Sequence, residues 1–238
     1  MHALLFDLDG TLTDPALGLT RCFAHALREM GRPVPPDTVL HACIGPPIQQ
    51  SFPELLALPT DDPQTALQVQ TAIAHFRARF STVGMYENTV YPGVPEALTA
   101  LQQEGARLFI ATSKPVVYAR EILRHFALAS YFEAVYGSEL SGERVAKGDV
   151  IAYLLAQERL PARTAVMVGD RHHDIDGAKQ NGLSAAVGVT YGYGSTNELL
   201  AAGADRLCAH PAELATLPVW LAARANEAAS QTAYKDAA

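Results

Sequence analysis

The chain has 238 residues, 49% of them hydrophobic and 18% charged, with a formal net charge of −7. This composition is ordinary for a soluble globular protein, and the length fits one domain carrying a sizeable insertion. The negative balance argues against nucleic acid or an acidic membrane surface as partner, but not against a phosphorylated small molecule, because one local cation can override the global field. No run of about 18 or more apolar residues occurs, so no membrane span is expected. The first residues lack a basic region and carry Asp7 and Asp9 where a signal peptide would be apolar, so the expectation is a cytoplasmic protein. Cys22, Cys43 and Cys208 are widely separated and odd in number, which favours reduced thiols over a disulfide or zinc framework.

The opening run Met1-His2-Ala3-Leu4-Leu5-Phe6 leads into Asp7-Leu8-Asp9-Gly10-Thr11. This reads as a buried β-strand that delivers two carboxylates to its C-terminal tip. Residues i and i+2 of a strand share a face, so Asp7 and Asp9 can approach one object. Two carboxylates this close repel, which calls for a cation between them or a proton on one. The plain alternative is an acidic turn after a strand.

From about residue 15 to 90 the pattern is helical. Asp14-Pro15 is a start signal, with an acid as N-cap and Pro at the first helical position. Leu19, Phe23, Ala26, Leu27 and Met30 recur at helical spacing until Gly31. Asp62-Pro63 repeats the start signal, and Val69, Ile73, Phe76 and Phe80 form the next stripe. Between them Cys43-Ile44-Gly45-Pro46-Pro47 must be a turn or loop.

After Tyr91-Pro92-Gly93, short apolar runs alternate with helical stripes. Strands are expected at Leu108–Ala111, Ala134–Tyr136, Ala165–Val168 and Ala185–Val189, with helices near Val94–Glu104, Val116–Phe126 and around Val150–Leu155. Such alternation predicts an α/β fold with a Rossmann-like parallel sheet core. The helical block interrupts it, so an inserted all-helical cap domain over 15–90 is expected, with the core formed by 1–14 and 91–224. An Ala-rich polar tail over 225–238 reads as a frayed helix or disordered segment.

Three strand tips end in polar residues: Asp7 and Asp9; Thr112-Ser113-Lys114; and Gly169-Asp170-Arg171-His172-His173-Asp174. In a parallel sheet these tips share the edge where ligands bind. Asp7, Asp9, Asp170 and Asp174 offer hard oxygen ligands suited to Mg²⁺. Thr112 and Ser113 offer a hydroxyl and N–H groups for phosphate oxygens. Lys147 can supply positive charge, although its spacing alone reads as a surface lysine.

Asp-x-Asp-Gly-Thr, Thr112 after the second strand, Lys147 and Gly-Asp-x-x-x-Asp at 169–174 together resemble the four motifs of the haloacid dehalogenase superfamily. Ile44-Gly45-Pro46-Pro47, Ala111-Thr112-Ser113-Lys114-Pro115, Tyr136-Gly137-Ser138-Glu139-Leu140 and Tyr191-Gly192-Tyr193-Gly194-Ser195 look like its phosphoglycolate phosphatase and 5′-nucleotidase-like branch. The resemblance implies a Mg²⁺-dependent hydrolase of a small phosphorylated metabolite, phosphoglycolate or a nucleoside 5′-monophosphate. Asp7 would become an aspartyl phosphate, with Asp9 as acid and then base. Asp7, Asp170 and the backbone carbonyl of Asp9 would bind the metal, with Asp174 one step behind. Thr112, Ser113 and Lys147 would stabilise the phosphoryl group.

A β-phosphoglucomutase-like phosphotransferase is the alternative, since it keeps the same acids and a helical cap. Dehalogenases lack the second acid, and a catalytically silent module needs no nucleophile. Lys114 and Gly45 are candidate substrate contacts, each with a structural alternative. Arg21, Arg77 and Arg79 read as solvated helix faces, and Ser195 with Glu198 as a structural capping box. His172-His173 reads as no transition-metal site, because neighbouring side chains rarely face one point. Gly192 and Gly194 make no dinucleotide fingerprint. A monomer or a homodimer is expected.

Overall fold

The computed structural model of the chain describes residues 2–58 and 63–236. The expected helix start at Asp62 therefore lies outside the described residues. The chain begins with β1 (Ala3–Phe6) and a two-residue strand, β2 (Thr13–Asp14). Four helices follow: α1 (Ala16–Glu29), α2 (Asp37–Ala42), α3 (Ile48–Leu55) and α4 (Pro63–Phe80). β3 (Thr89–Val90) returns antiparallel to β2, opposing Val90 to Thr13 and Thr89 to Asp14. Alternation then sets in with α5 (Val94–Gln103), β4 (Arg107–Pro115), α6 (Val116–His125), β5 (Ala134–Ser138), α7 (Lys147–Glu158), β6 (Ala165–Gly169), α8 (His172–Gln180), β7 (Ala185–Val189), α9 (Thr196–Ala202), β8 (Arg206–Cys208) and α10 (Leu217–Asp236).

Six strands form one parallel sheet in the order β5-β4-β1-β6-β7-β8. Strand pleating sorts the apolar side chains between two layers. Leu4 and Phe6 of β1, with Leu108 and Ile110 of β4, join the core that α5, α6 and the four helices share. Ala3 and Leu5, with Phe109 and Ala111, face the other core, built with α7 and α8. The fold is thus a Rossmann-like α/β sheet with an all-helical cap inserted after its first strand, as the alternation predicts. No helix among the described residues is long and apolar enough to cross a membrane.

The cap is held by the expected stripes. Leu19, Phe23, Ala26 and Leu27 of α1 are buried against Ile73, Phe76 and Phe80 of α4. Phe76 is the hub of the aromatic cluster: its ring lies 4.9 Å from Phe23, 6.1 Å from Phe52 and 5.6 Å from Phe80.

Local boundaries differ where tertiary contacts take over. Pro15, not Asp14, is the N-cap of α1, and Asp14 Oδ1 accepts the Ala16 N–H at 3.0 Å. β4 runs on to Pro115 with a register shift after Ala111, because Ser138 and Ser113 hold its tip. The sixth strand, β8, was not expected: three residues at a sheet edge carry no readable period. The backbone of 225–236 continues α10.

Phe76→Ala should cost about 3–5 kcal/mol, lowering Tm by roughly 6–20 °C for a chain of this size. Leu67→Ala, on the exposed side of the same helix, should change stability by no more than about 0.5 kcal/mol. Thermal unfolding of the two variants checks the comparison.

Candidate active site

The sheet order makes β1 the neighbour of both β4 and β6, so all three polar tips fall side by side. Asp7 follows β1, and its N–H donates to Val168 O of β6 at 2.9 Å. The strand does not continue to Asp9. Gly10 turns the chain at φ +80°, and its N–H donates to Thr13 O at 2.7 Å. A Cβ there would lie 2.1 Å from Asp170 Oδ2, so only glycine lets this turn close over Asp170.

The turn separates the two acids. Asp7, Asp170 and Asp174 each bring one carboxylate oxygen within 4.8 Å of the others. The Asp9 carboxylate lies outside that group and pairs with Lys114, Nζ to Oδ2 at 2.6 Å. The side chain of Asp174, which the sequence reading put one step behind the metal, thus stands within the triad itself.

Lys147 is the first residue of α7 and only 5% exposed, not the surface lysine its spacing indicates. Its ammonium donates to Ala111 O at 2.9 Å and lies 2.9 Å from Asp7 Oδ1 and 2.8 Å from Asp174 Oδ1. Burial pulls its pKa down, but Asp174 and Asp7 outweigh burial and hold it above the usual lysine value. Both contacts of the Asp7 carboxylate, to Lys147 and to the Leu8 N–H at 2.7 Å, fall on Oδ1.

Burial, with Asp174 and Asp7 close by, pushes the Asp170 carboxyl well above the usual range. Burial pushes Asp174 up to about 6 against the opposing pull of Lys147. Burial also raises Asp9, opposed by Lys114. Asp170 Oδ2 accepts the Tyr193 N–H at 2.8 Å, whereas Oδ1 is buried without a hydrogen-bond partner. An acidic triad of hard oxygens with an orphaned carboxylate oxygen fits a divalent cation such as Mg²⁺.

A cleft between sheet and cap is lined from below by Asp7, Asp9, Thr112, Ser113 and Lys114, and from above by Gly45, Pro46, Gln49, Phe76, Arg77 and Phe80. Thr112 is buried, and its Oγ1 accepts the Lys114 N–H at 3.3 Å. Gly45 admits a tie between cap and core. Arg171 Nη1 donates to Ile44 O at 2.8 Å, and a Cβ on Gly45 (φ +104°) would lie 2.7 Å from that nitrogen.

Several sequence readings change. Arg77 is not merely solvated: it lines the cleft and donates to Leu140 O at 3.2 Å. Arg79 is bound to Glu87 at 2.7 Å and donates to Cys22 Sγ at 3.3 Å, and Arg21 also pairs with Glu87. Ser195 does accept the Glu198 N–H at 3.0 Å, but the Glu198 carboxylate instead receives Arg171 Nε and the His172 N–H, each at 2.9 Å. His172 and His173 do meet, with ring centroids 3.8 Å apart, and His172 Nδ1 lies 2.8 Å from Glu198. Sequence reasoning gave Arg171, Glu198 and Tyr193 no role in the site, although Arg171 sits inside the Gly-Asp-x-x-x-Asp segment, Tyr193 inside residues 191–195 and Glu198 near Ser195. Tyr193 also donates its hydroxyl to Asp14 where the chain enters the cap.

Residues 4–187 match the family model described as haloacid dehalogenase-like hydrolase. A Pseudomonas aeruginosa protein named 5′-nucleotidase is 47% identical over 211 residues, covering 89% of this chain and 92% of its own. The Mycobacterium tuberculosis protein named tyrosine-protein kinase PtkA is 41% identical over 80% of this chain, but that match spans only 62% of the longer relative. A Colwellia psychrerythraea protein named phosphoglycolate phosphatase is 29% identical over 81% of this chain and 85% of its own. The solved structure of a predicted phosphatase from Clostridium acetobutylicum superposes with a TM-score of 0.84 at 40% identity, covering 92% of this chain and 99% of that one. With a family model spanning most of the sheet and cap, and close relatives matched over nearly their whole length, the chain belongs to the haloacid dehalogenase-like hydrolases and is one of their phosphatases.

Proposed function

We propose that this phosphatase hydrolyses the phosphomonoester of a small phosphorylated metabolite through an aspartyl phosphate on Asp7, with Mg²⁺ as its cofactor. The observation that carries the reading is the division of labour at the Asp7 carboxylate. Lys147 and the Leu8 N–H both hold Oδ1, so Oδ2 is the oxygen left to attack phosphorus.

Phosphomonoester hydrolysis without a catalyst is slow enough that enzymes accelerate it by up to ~10²¹-fold. No one group supplies that, and the cleft offers three contributions. Asp7 is the nucleophile: its oxygen bonds to phosphorus as the bond to the ester oxygen breaks. Asp9, raised by burial, gives its proton to the departing oxygen. It then takes a proton from the water that attacks the aspartyl phosphate, which frees phosphate and restores Asp7. Thr112, Ser113 and Lys147 hold the phosphoryl oxygens, preorganised because the tip of β4 and the start of α7 are already locked together.

Asp7, Asp170 and the Asp9 backbone carbonyl would hold the cation, with Asp174 supporting them. When bound, it offsets the carboxylates and draws negative charge off the transferring phosphoryl group. Phosphoglycolate and nucleoside 5′-monophosphates are the substrate classes that similarity to named relatives supports. Those names do not favour the phosphomutase alternative.

Free phosphate released from phosphoglycolate, nucleoside 5′-monophosphates and hexose phosphates should depend on Mg²⁺ and stop in chelator. Asp7→Asn should lower kcat by at least about 10³-fold. Release that survives both treatments would sink the reading.

The acidic triad also makes stability depend on cation and pH together. A carboxyl whose folded pKa is raised contributes stability below that pKa and loses it as pH rises through it. With Asp174 pushed up to about 6 from an ordinary carboxyl value of ~3.9, chelator-treated protein should lose this contribution as pH rises toward about 6, while a bound cation removes the loss. The Tm gain on adding MgCl₂ should therefore grow as pH rises from roughly 4 to about 6. A gain independent of pH would count against cation binding at these carboxylates.

A further inference from the structure

Lys114 has no part in the phosphoryl chemistry above, yet it occupies an unusual place. Its side chain is only 7% exposed, with Nζ 2.6 Å from Asp9 Oδ2 and 4.9 Å from the centroid of the Phe80 ring. Asp9 belongs to the sheet side of the cleft and Phe80 to the cap helix α4, so the ammonium is clasped between the two. Nζ is buried and makes no hydrogen bond of good geometry; its contact with Asp9 is an ion pair alone. A lysine ammonium has three donors, and a buried donor without an acceptor is costly enough to need a reason.

The Asp9 carboxylate indicates what the missing acceptor is. Its Oδ2 faces Lys114, while its Oδ1 is buried without a partner. If Asp9 serves the ester oxygen, as the proposed function requires, Oδ1 is the atom that meets it. The Lys114 ammonium, 2.6 Å from the other oxygen of the same carboxylate, then stands beside the leaving group. Around it Phe76, Phe80, Pro115 and Tyr118 make the wall apolar, which strengthens any charge-assisted hydrogen bond formed there.

We propose that Lys114 is the specificity residue for the leaving group, its ammonium binding an oxygen acceptor carried on the second carbon from the ester oxygen, a carboxylate best of all. The inference rests on the reading of Asp9 as acid and base. Because Phe80 comes from the cap, Lys114 is in place only when the cap packs on the sheet.

The test compares 2-phosphoglycolate, which carries that carboxylate, with ethyl phosphate, which has the same two carbons and no acceptor. With the full chain and Mg²⁺, the wild type should prefer 2-phosphoglycolate in kcat/KM. Lys114→Met should shrink that preference by about 10–100-fold, the worth of a hydrogen bond between charged groups, and Lys114→Arg should restore part of it. If Lys114 only orients Asp9, Lys114→Met lowers both substrates by one factor and the ratio stays, which overturns the proposal; so does a wild type with no preference. Calorimetric binding of the same two compounds to Asp7→Asn, with and without Lys114→Met, separates this from failure of the hydrolase reading. A chain that releases no phosphate must still lose its binding preference with Lys114→Met, and an unchanged preference again overturns the proposal.

Discussion

The Lys147 ammonium reaches three groups that arrive from three parts of the sheet: Ala111 O on β4, Asp7 beyond β1 and Asp174 on α8 beyond β6. It makes one hydrogen bond and two ion pairs, and its position at the start of α7 puts a fourth segment at the same point. A buried charge with its partners removed costs about 3–5 kcal/mol, so this cluster stands or falls as a unit. Asp7 and Asp174 repel each other and repel Asp170; one ammonium between two of them lets the acids stay close without full ionisation penalties. The orientation of the Asp7 carboxylate follows from the same contact, because Lys147 occupies one of its oxygens.

Cap and sheet are joined in two different ways. Apolar contact is continuous, with Leu8 and Leu12 below and Phe23, Phe76 and Phe80 above in a single core. Over that adaptable surface lie a few directional ties: Arg171 to Ile44 O, Arg77 to Leu140 O, and Tyr193 to Asp14 at the point where the chain enters the cap. Hydrophobic burial is non-directional and lets the cap shift, whereas each polar tie holds one geometry. Tyr193 joins the two systems, since its backbone N–H holds Asp170 while its hydroxyl holds Asp14. A change in cap position is thereby coupled to the Asp170 carboxylate of the acidic triad.

The sequence by itself determined the fold class and the location of the site. Short continuous apolar runs at Leu108–Ala111, Ala165–Val168 and Ala185–Val189, and helical stripes such as Leu19-Phe23-Ala26 and Ile73-Phe76-Phe80, are local signals that burial leaves in the chain. Asp7, Asp9, Thr112, Ser113, Asp170 and Asp174 were readable as candidates because each follows closely on an apolar strand run, and the tips of a parallel sheet share an edge. Only the tertiary structure decided how those acids divide. Gly10 ends the strand before Asp9, so alternation no longer applies, and Asp9 turns to Lys114 while Asp174 joins Asp7 and Asp170. The burial of Lys147, the aromatic clasp on Lys114 and the Arg171 tie to the cap join residues distant in sequence, such as Arg171 and Ile44. Periodicity records which face of an element is buried, but not which partner it meets there, and the chemistry of this cleft depends on the partners.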